Sequence, residues 1–150
     1  MSLYQFLVLI HVLSAILGMG PGFIMIYVVT KATNMVELKH AYLIRNRLHV
    51  FVMVGGTLLL LSGLALGALN TILFSATWYI TSLILFIIAL AFGPLVLSPL
   101  AKPIKMLLKN TSGNEIPKEY KALAKKLFFY ERIENFIFII IIILMILKPF

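Results

Sequence analysis

Long apolar runs alternate with polar connections along almost the whole chain. The first covers Leu3–Thr30, and three more follow at 49–70, 78–100 and 133–147, the last wholly apolar from Phe136 to Leu147. At about 1.5 Å per residue the first run is more than long enough to cross a ~30 Å hydrocarbon layer. The pattern predicts an all-α membrane protein, a four-transmembrane-helix bundle in one domain over residues 1–150. Thr71 to Thr77 is a short turn, so the second and third spans should be antiparallel neighbours, with Trp78 and Tyr79 as an interfacial anchor.

The connections differ sharply in charge. Residues 31–47 and 101–132 carry twelve of the thirteen lysines and arginines, and only Lys148 lies at the opposite end. The positive-inside rule places those two connections in the cytoplasm and both termini outside, as in a multi-pass protein of a bacterial inner membrane. A net charge of +8 is therefore a topology signal, with some attraction to anionic headgroups. Nucleic-acid binding is not expected, because no soluble face interleaves these charges with aromatics. The lack of Lys or Arg before the first run, and the length of that run, predict a retained helix rather than a cleaved leader.

Helical spacing sorts the residues within the spans. His11, Ser14, Gly18, Gly22 and Met25 share one face of the first helix, and Ser14, Gly18 and Gly22 form a small-residue series for close packing. Gly56, Gly63 and Gly67 form a matching face on the second. Gly20-Pro21 and Gly93-Pro94 predict helix breaks in the first and third spans, and the two hairpins resemble a weak same-orientation repeat. Residues 31–47 are expected to hold a short interfacial helix. So is the segment between spans three and four, where Leu123, Leu127 and Tyr130 line one face from Pro117 to Tyr130.

Composition then narrows the chemistry. Apolar residues make up 62% of 150 residues and cysteine is absent, which excludes disulfides, thiolate metal sites and thiol catalysis. His11 is the one ionisable group deep in a span, ~12 Å below the outer boundary by helical rise. It reads either as a haem ligand, copper ligand or proton carrier, or as a neutral imidazole bonded to Ser62, Thr81 or Ser82. His49 opens the second span at the other boundary, too different in depth to share a haem with it. Arg45, Arg47 and His49 enter the second span where Glu131, Glu134 and Asn135 enter the fourth. Opposite charges at that depth can pair, Glu131 and Glu134 with a partner such as Arg47, and the cluster would line a cytoplasm-facing vestibule if the Gly-Pro breaks splay open; the alternative is ordinary interfacial charge with no binding role. No hydrolase constellation or phosphate-cradling loop occurs, so catalysis is not expected, while oxidoreductase chemistry through a bound cofactor stays open.

The opening His11-Val12-Leu13-Ser14-Ala15 with Gly18 and Gly20, the Arg47-x-His49 entry, and the ending Ile143-Leu144-Met145-Ile146-Leu147-Lys148-Pro149 resemble an uncharacterised bacterial family of small predicted integral membrane proteins. That family is distantly similar to the membrane domain of copper-resistance D-type proteins and to haem-pathway four-helix proteins with an early helix-one histidine. No lysine lies within the third span, and a methionine- or histidine-rich copper entrance is missing, which separates the chain from both. The expectation is a binding or transport-associated protein in the lipid bilayer, forming a homo-oligomer, without catalysis of its own. The second reading is a haem- or copper-binding redox protein using His11.

Overall fold

A computed structural model describes all 150 residues. The elements in order are α1 (Leu3–Thr30), α2 (Met35–Leu69), a 3-10 turn (Thr71–Ser75), α3 (Thr77–Phe92), a π-helical turn (Gly93–Leu97), α4 (Ser98–Asn110) and α5 (Lys118–Leu147). The helices from α3 to α4 join into one continuous rod, Thr77–Asn110. Three helices are long and apolar enough to cross a membrane: Leu3–Thr30, Met35–Leu69 and Thr77–Asn110. In α5, Glu131, Arg132 and Glu134 interrupt the apolar pattern and leave only its second half bare.

Local chemistry sets the ends. Ser2 and Gln5 form a reciprocal capping box at the start of α1, the Gln5 amide donating to Ser2 Oγ at 3.2 Å and the Ser2 amide to Gln5 Oε1 at 3.0 Å. Asn34 caps α2 by accepting from the Glu37 amide at 2.9 Å. Glu37 Oε2 in turn accepts from the amide and hydroxyl of Thr33, each at 2.8 Å, and these bonds hold its carboxyl below the usual range. Lys148 stops α5 in the left-handed conformation, φ 46°, just before Pro149.

Both expected interfacial helices are absent as separate elements. Residues 35–47 are the first turns of α2, and 118–130 are the first turns of α5. No glycine or proline falls between Met35 and Gly55 or between Lys118 and Leu147, so nothing ends the helix at the membrane boundary. The connections shrink to 31–34 and 111–117. The two Gly-Pro sites also part ways: α1 continues as α-helix through Gly20-Pro21, whereas Gly93-Pro94 widens into the π turn. There Pro94 lacks an N–H for the carbonyl four residues back, and the Ser98 amide reaches Gly93 O instead.

The projecting helix ends create a second core. Within the apolar belt Met19, Leu59, Phe86, Ala89, Phe138 and Ile141 pack together. At the basic end Val29, Leu38, Tyr42, Ile104, Tyr120 and Leu127 belong to a separate cluster. In α4, Ile104 and Leu108 are buried while Lys102, Lys105 and Lys109 stay exposed. Burial and the Tyr120 hydroxyl 3.2 Å away push Tyr42 above the ordinary phenol range.

Close packing of α1 on α2 depends on glycine. A Cβ on Gly18 would sit 2.7 Å from Gly56 N and 2.8 Å from the Gly55 carbonyl carbon, and one on Gly55 would collide with the Gly18 backbone. The other packing glycines serve different neighbours: Gly56 faces Leu90 and Phe86, Gly63 faces His11, Gly67 faces Tyr79 and Phe74, and Gly22 faces Asn135. Thus α2 meets α3 through side chains, while its backbone lies against α1. Gly18→Leu is expected to destabilise the purified protein by roughly 1–3 kcal/mol or more for a forced overpack, seen as a lower melting temperature and monodisperse yield. Gly20→Ala, where an added Cβ meets nothing within 4 Å, should melt like the parent. Equal melting of Gly18→Leu and Gly20→Ala would refute the close-packing account.

Candidate functional site

The small residues that let α1 and α2 touch also leave room beside them. A cavity of about 440 Å³ lies among α1, α2, α3 and α5, lined almost entirely by apolar side chains such as Met19, Leu59, Phe86 and Ile141. Its polar margin is His11, Tyr79 and Ser82. The Tyr79 hydroxyl donates to Gly63 O at 2.9 Å and Ser82 Oγ to Trp78 O at 2.8 Å, so both are satisfied inside the protein. Val12, Ile16 and Phe23 on α1 and Ile142 and Ile146 on α5 line the cavity and also face outward. It is therefore a groove that opens sideways between α1 and α5, the direction from which acyl chains approach.

His11 stands at one end of this groove. Its Nδ1 is 2.9 Å from Ser62 Oγ, and the same hydroxyl is 3.1 Å from Leu59 O. A serine hydroxyl has one proton, and a carbonyl can only accept. Both bonds are made together only if Ser62 donates to Leu59 and His11 Nδ1–H donates to Ser62. That assignment leaves Nε2 with its lone pair and no protein partner. Of the hydroxyls considered from sequence, Ser62 is the one that reaches the ring. His49 stands thirteen residues before Ser62 on α2, about 20 Å along the helix, so the two histidines cannot face one group.

A different polar arrangement joins the two cores. Arg45 and Glu131 form a two-pronged ion pair, Arg45 Nη1 donating to Glu131 Oε2 at 3.1 Å and Nη2 donating to Oε1. Arg45 is 9% exposed and Glu131 3%. One turn further along α5, Asn135 Nδ2 donates to Gly22 O at 3.1 Å, and a Cβ on Gly22 would crowd Asn135 Oδ1 at 3.2 Å. Arg47 and His49 are exposed and take no part, and Glu134 is half-buried without an ion pair. Ser14 is buried away from the groove with Oγ donating to Ile10 O at 2.6 Å.

Arg45 rather than Arg47 is thus the partner of Glu131, and the cluster of Arg47, His49, Glu131 and Glu134 lines no large cavity. Leu38, Tyr42, Ile104, Tyr120 and Leu127 fill the space where a vestibule would have opened. The helical phase carries the signal for the right arginine. Arg45 precedes Gly56 by eleven residues, three full turns, and therefore shares the buried face with Tyr42, Gly56 and Leu59. Arg47 lies two residues, about 200°, around the helix. Tyr79, named from sequence only as an interfacial anchor, Ser82, named only as a possible partner of His11, and Met145 are further groove residues; their faces become known only once α3 and α5 are packed.

Apolar helices around a sideways-opening groove, with charged residues gathered at one end of the bundle, define an integral membrane protein. The chain belongs to the DUF2269 family, described as a predicted integral membrane protein, whose model matches residues 5–149. No curated protein and no solved structure matches the chain.

The ion pair can be dissected by a double-mutant cycle. Arg45→Met alone should destabilise the protein by about 3–5 kcal/mol, because it strands a buried carboxylate. Adding Glu131→Leu should recover most of the loss, whereas Arg47→Ala should change the melting temperature little. Additive losses from the two single substitutions would show that the pair is not coupled.

Proposed function

We propose that this is a non-catalytic binding protein of the bilayer that takes a hydrocarbon-chain molecule sideways into the groove between α1 and α5. The single observation that carries this reading is the lateral groove itself, about 440 Å³ and apolar on nearly every side. An apolar cavity open to lipid is filled by apolar chains more favourably than by water, which would find few polar partners there. Diazirine-labelled fatty acid, photolysed in membranes, should label α1 and α5 peptides that face the groove. Gly20 lies in the groove lining, and Gly20→Phe should reduce that labelling roughly tenfold by occupying the groove, on the scale of one lost buried side chain. Labelling spread evenly over all lipid-facing helices and unchanged by Gly20→Phe would sink the reading.

This reading includes four crossings in an inner membrane with both termini extracytoplasmic. Support for the fourth comes from the far end of α5, where the Trp78 amide donates to Phe150 O at 3.2 Å and Lys148 lies 5.3 Å from the Trp78 ring. The C-terminal end thus lies beside the start of α3, opposite the basic end. A membrane-impermeant thiol reagent applied from outside should modify Phe74→Cys and spare Ser112→Cys. The reverse pattern would overturn the orientation. The glycines that motivated a homo-oligomer are engaged within the chain, so the reading put forward is of a protomer that binds its ligand alone.

A second reading rests on His11 Nε2, whose lone pair belongs to a groove also lined by the Met19 and Met145 thioethers. Imidazole with thioether is a donor set suited to Cu(I), and imidazole alone to haem iron. Stoichiometric copper or a Soret band lost in His11→Ala would favour it. Colourless, metal-free protein would count against it.

A further inference from the structure

The same seam between α1 and α5 has a second cavity, of about 900 Å³, at the basic end. Its walls come from the end of α1, the connections at 31–34 and 111–117, and the first half of α5. Three cations project there from α5: Lys121, Lys125 and Arg132. All are exposed and none is in a salt bridge, the one such pair in the protein being Arg45 with Glu131. Glu115 is the single carboxylate in the lining. At the start of α2, Asn34 accepts the Glu37 amide, Asn114 O accepts the Met35 amide and Glu37 takes the two Thr33 donors.

The two cavities lie on one continuous face. On α5, Lys121, Lys125, Phe128 and Arg132 continue through Asn135 to Ile142 and Ile146 at spacings of three, four or their sum, one helical stripe. On α1, Ile16 and Phe23 of the apolar cavity are followed two turns later by Thr30 of the basic one. Between them the seam narrows where Asn135 bonds Gly22. From Arg132 to Ile142 is ten residues, about 15 Å, the hydrocarbon depth of one leaflet. Tyr27, exposed and with Lys31 Nζ 5.0 Å from its ring, marks the headgroup level on α1.

We propose that the seam is built for one anionic phospholipid, its phosphate between Lys125 and Arg132 with Lys121 one turn further out, and an acyl chain running past Asn135 into the apolar groove. This rests on the groove reading and adds the headgroup. Charge complementarity selects an anionic head, and the apolar continuation selects a lipid over a free phosphate.

Native mass spectrometry of the full chain, released from nanodiscs of equal phosphatidylglycerol and phosphatidylcholine, reads retained lipid and headgroup choice together. The parent should retain one lipid, enriched in phosphatidylglycerol. Lys121→Gln with Lys125→Gln and Arg132→Gln should lose that enrichment tenfold or more, given about fivefold per basic residue near an anionic surface, yet still retain lipid. Lys102→Gln with Lys105→Gln and Lys109→Gln removes equal charge from α4 and should keep the enrichment. Equal loss in both triple variants, or none in the first, would overturn the headgroup assignment while leaving the groove intact. Displacement of the lipid by millimolar glycerol 3-phosphate would overturn it as well, by showing a site for free phosphate. Full retention in Gly20→Phe would instead refute the groove reading.

Discussion

A buried ion pair joins the two halves of this bundle. Arg45 and Glu131 sit where the apolar belt gives way to the basic-end core, between Phe138 and Ile141 on one side and Tyr42 and Leu127 on the other. Two charges removed from water this completely are tolerated only when each satisfies the other, and a planar guanidinium facing a carboxylate does so through two bonds. The pair sets the rotation of α2 against α5, since a turn of either helix by one residue would strand both charges. With α2 held, the Gly18–Gly55 contact sets α1, and Asn135 at Gly22 sets α5 against α1. The groove is the space left beside these contacts.

Much of this was open to reading along the chain, and what was not has physical reasons. Apolar run length is a one-dimensional quantity, so the helices announce themselves from Leu3, and the clustering of lysines at one end needs no packing to be seen. Choosing Arg45 over Arg47 requires the phase of α2 carried back from Gly56 through the membrane boundary, and reading 31–47 as a separate connection broke that phase. A polar stretch next to a span looks like an interfacial helix in sequence. Here the polar residues lie on the outer faces of helices that continue straight, and Leu38, Ile104 and Leu127 form a core beyond the apolar belt. Proline was equally ambiguous: Pro21 is absorbed in a continuous helix, while Pro94 widens one. The bare sequence pattern Gly-Pro is the same in both, and the neighbouring packing differs.

His11 changes meaning once its surroundings are known. From sequence it was an isolated titratable group at a costly depth. In the bundle its Nδ1 is satisfied by Ser62, and Gly63 leaves room for the ring edge, 3.2 Å from where a Cβ would stand. The imidazole thereby becomes part of a wall, with one nitrogen turned to structure and the other still a base. Its partner residues belong to α2, so the α1–α2 hairpin alone holds the histidine in place.

The groove, in contrast, has the first and last helices as its two outer walls. A nascent chain makes α1 and its partner α2 early, and their contact is local, so that hairpin can pair while the rest is still being synthesised. The opposite wall arrives only with α5. The groove therefore has no existence until both walls are made, and a molecule held across it would favour the assembled bundle over a partly assembled one through mass action. A lipid there would act as a molecular signature that α1 and α5 have met in the membrane.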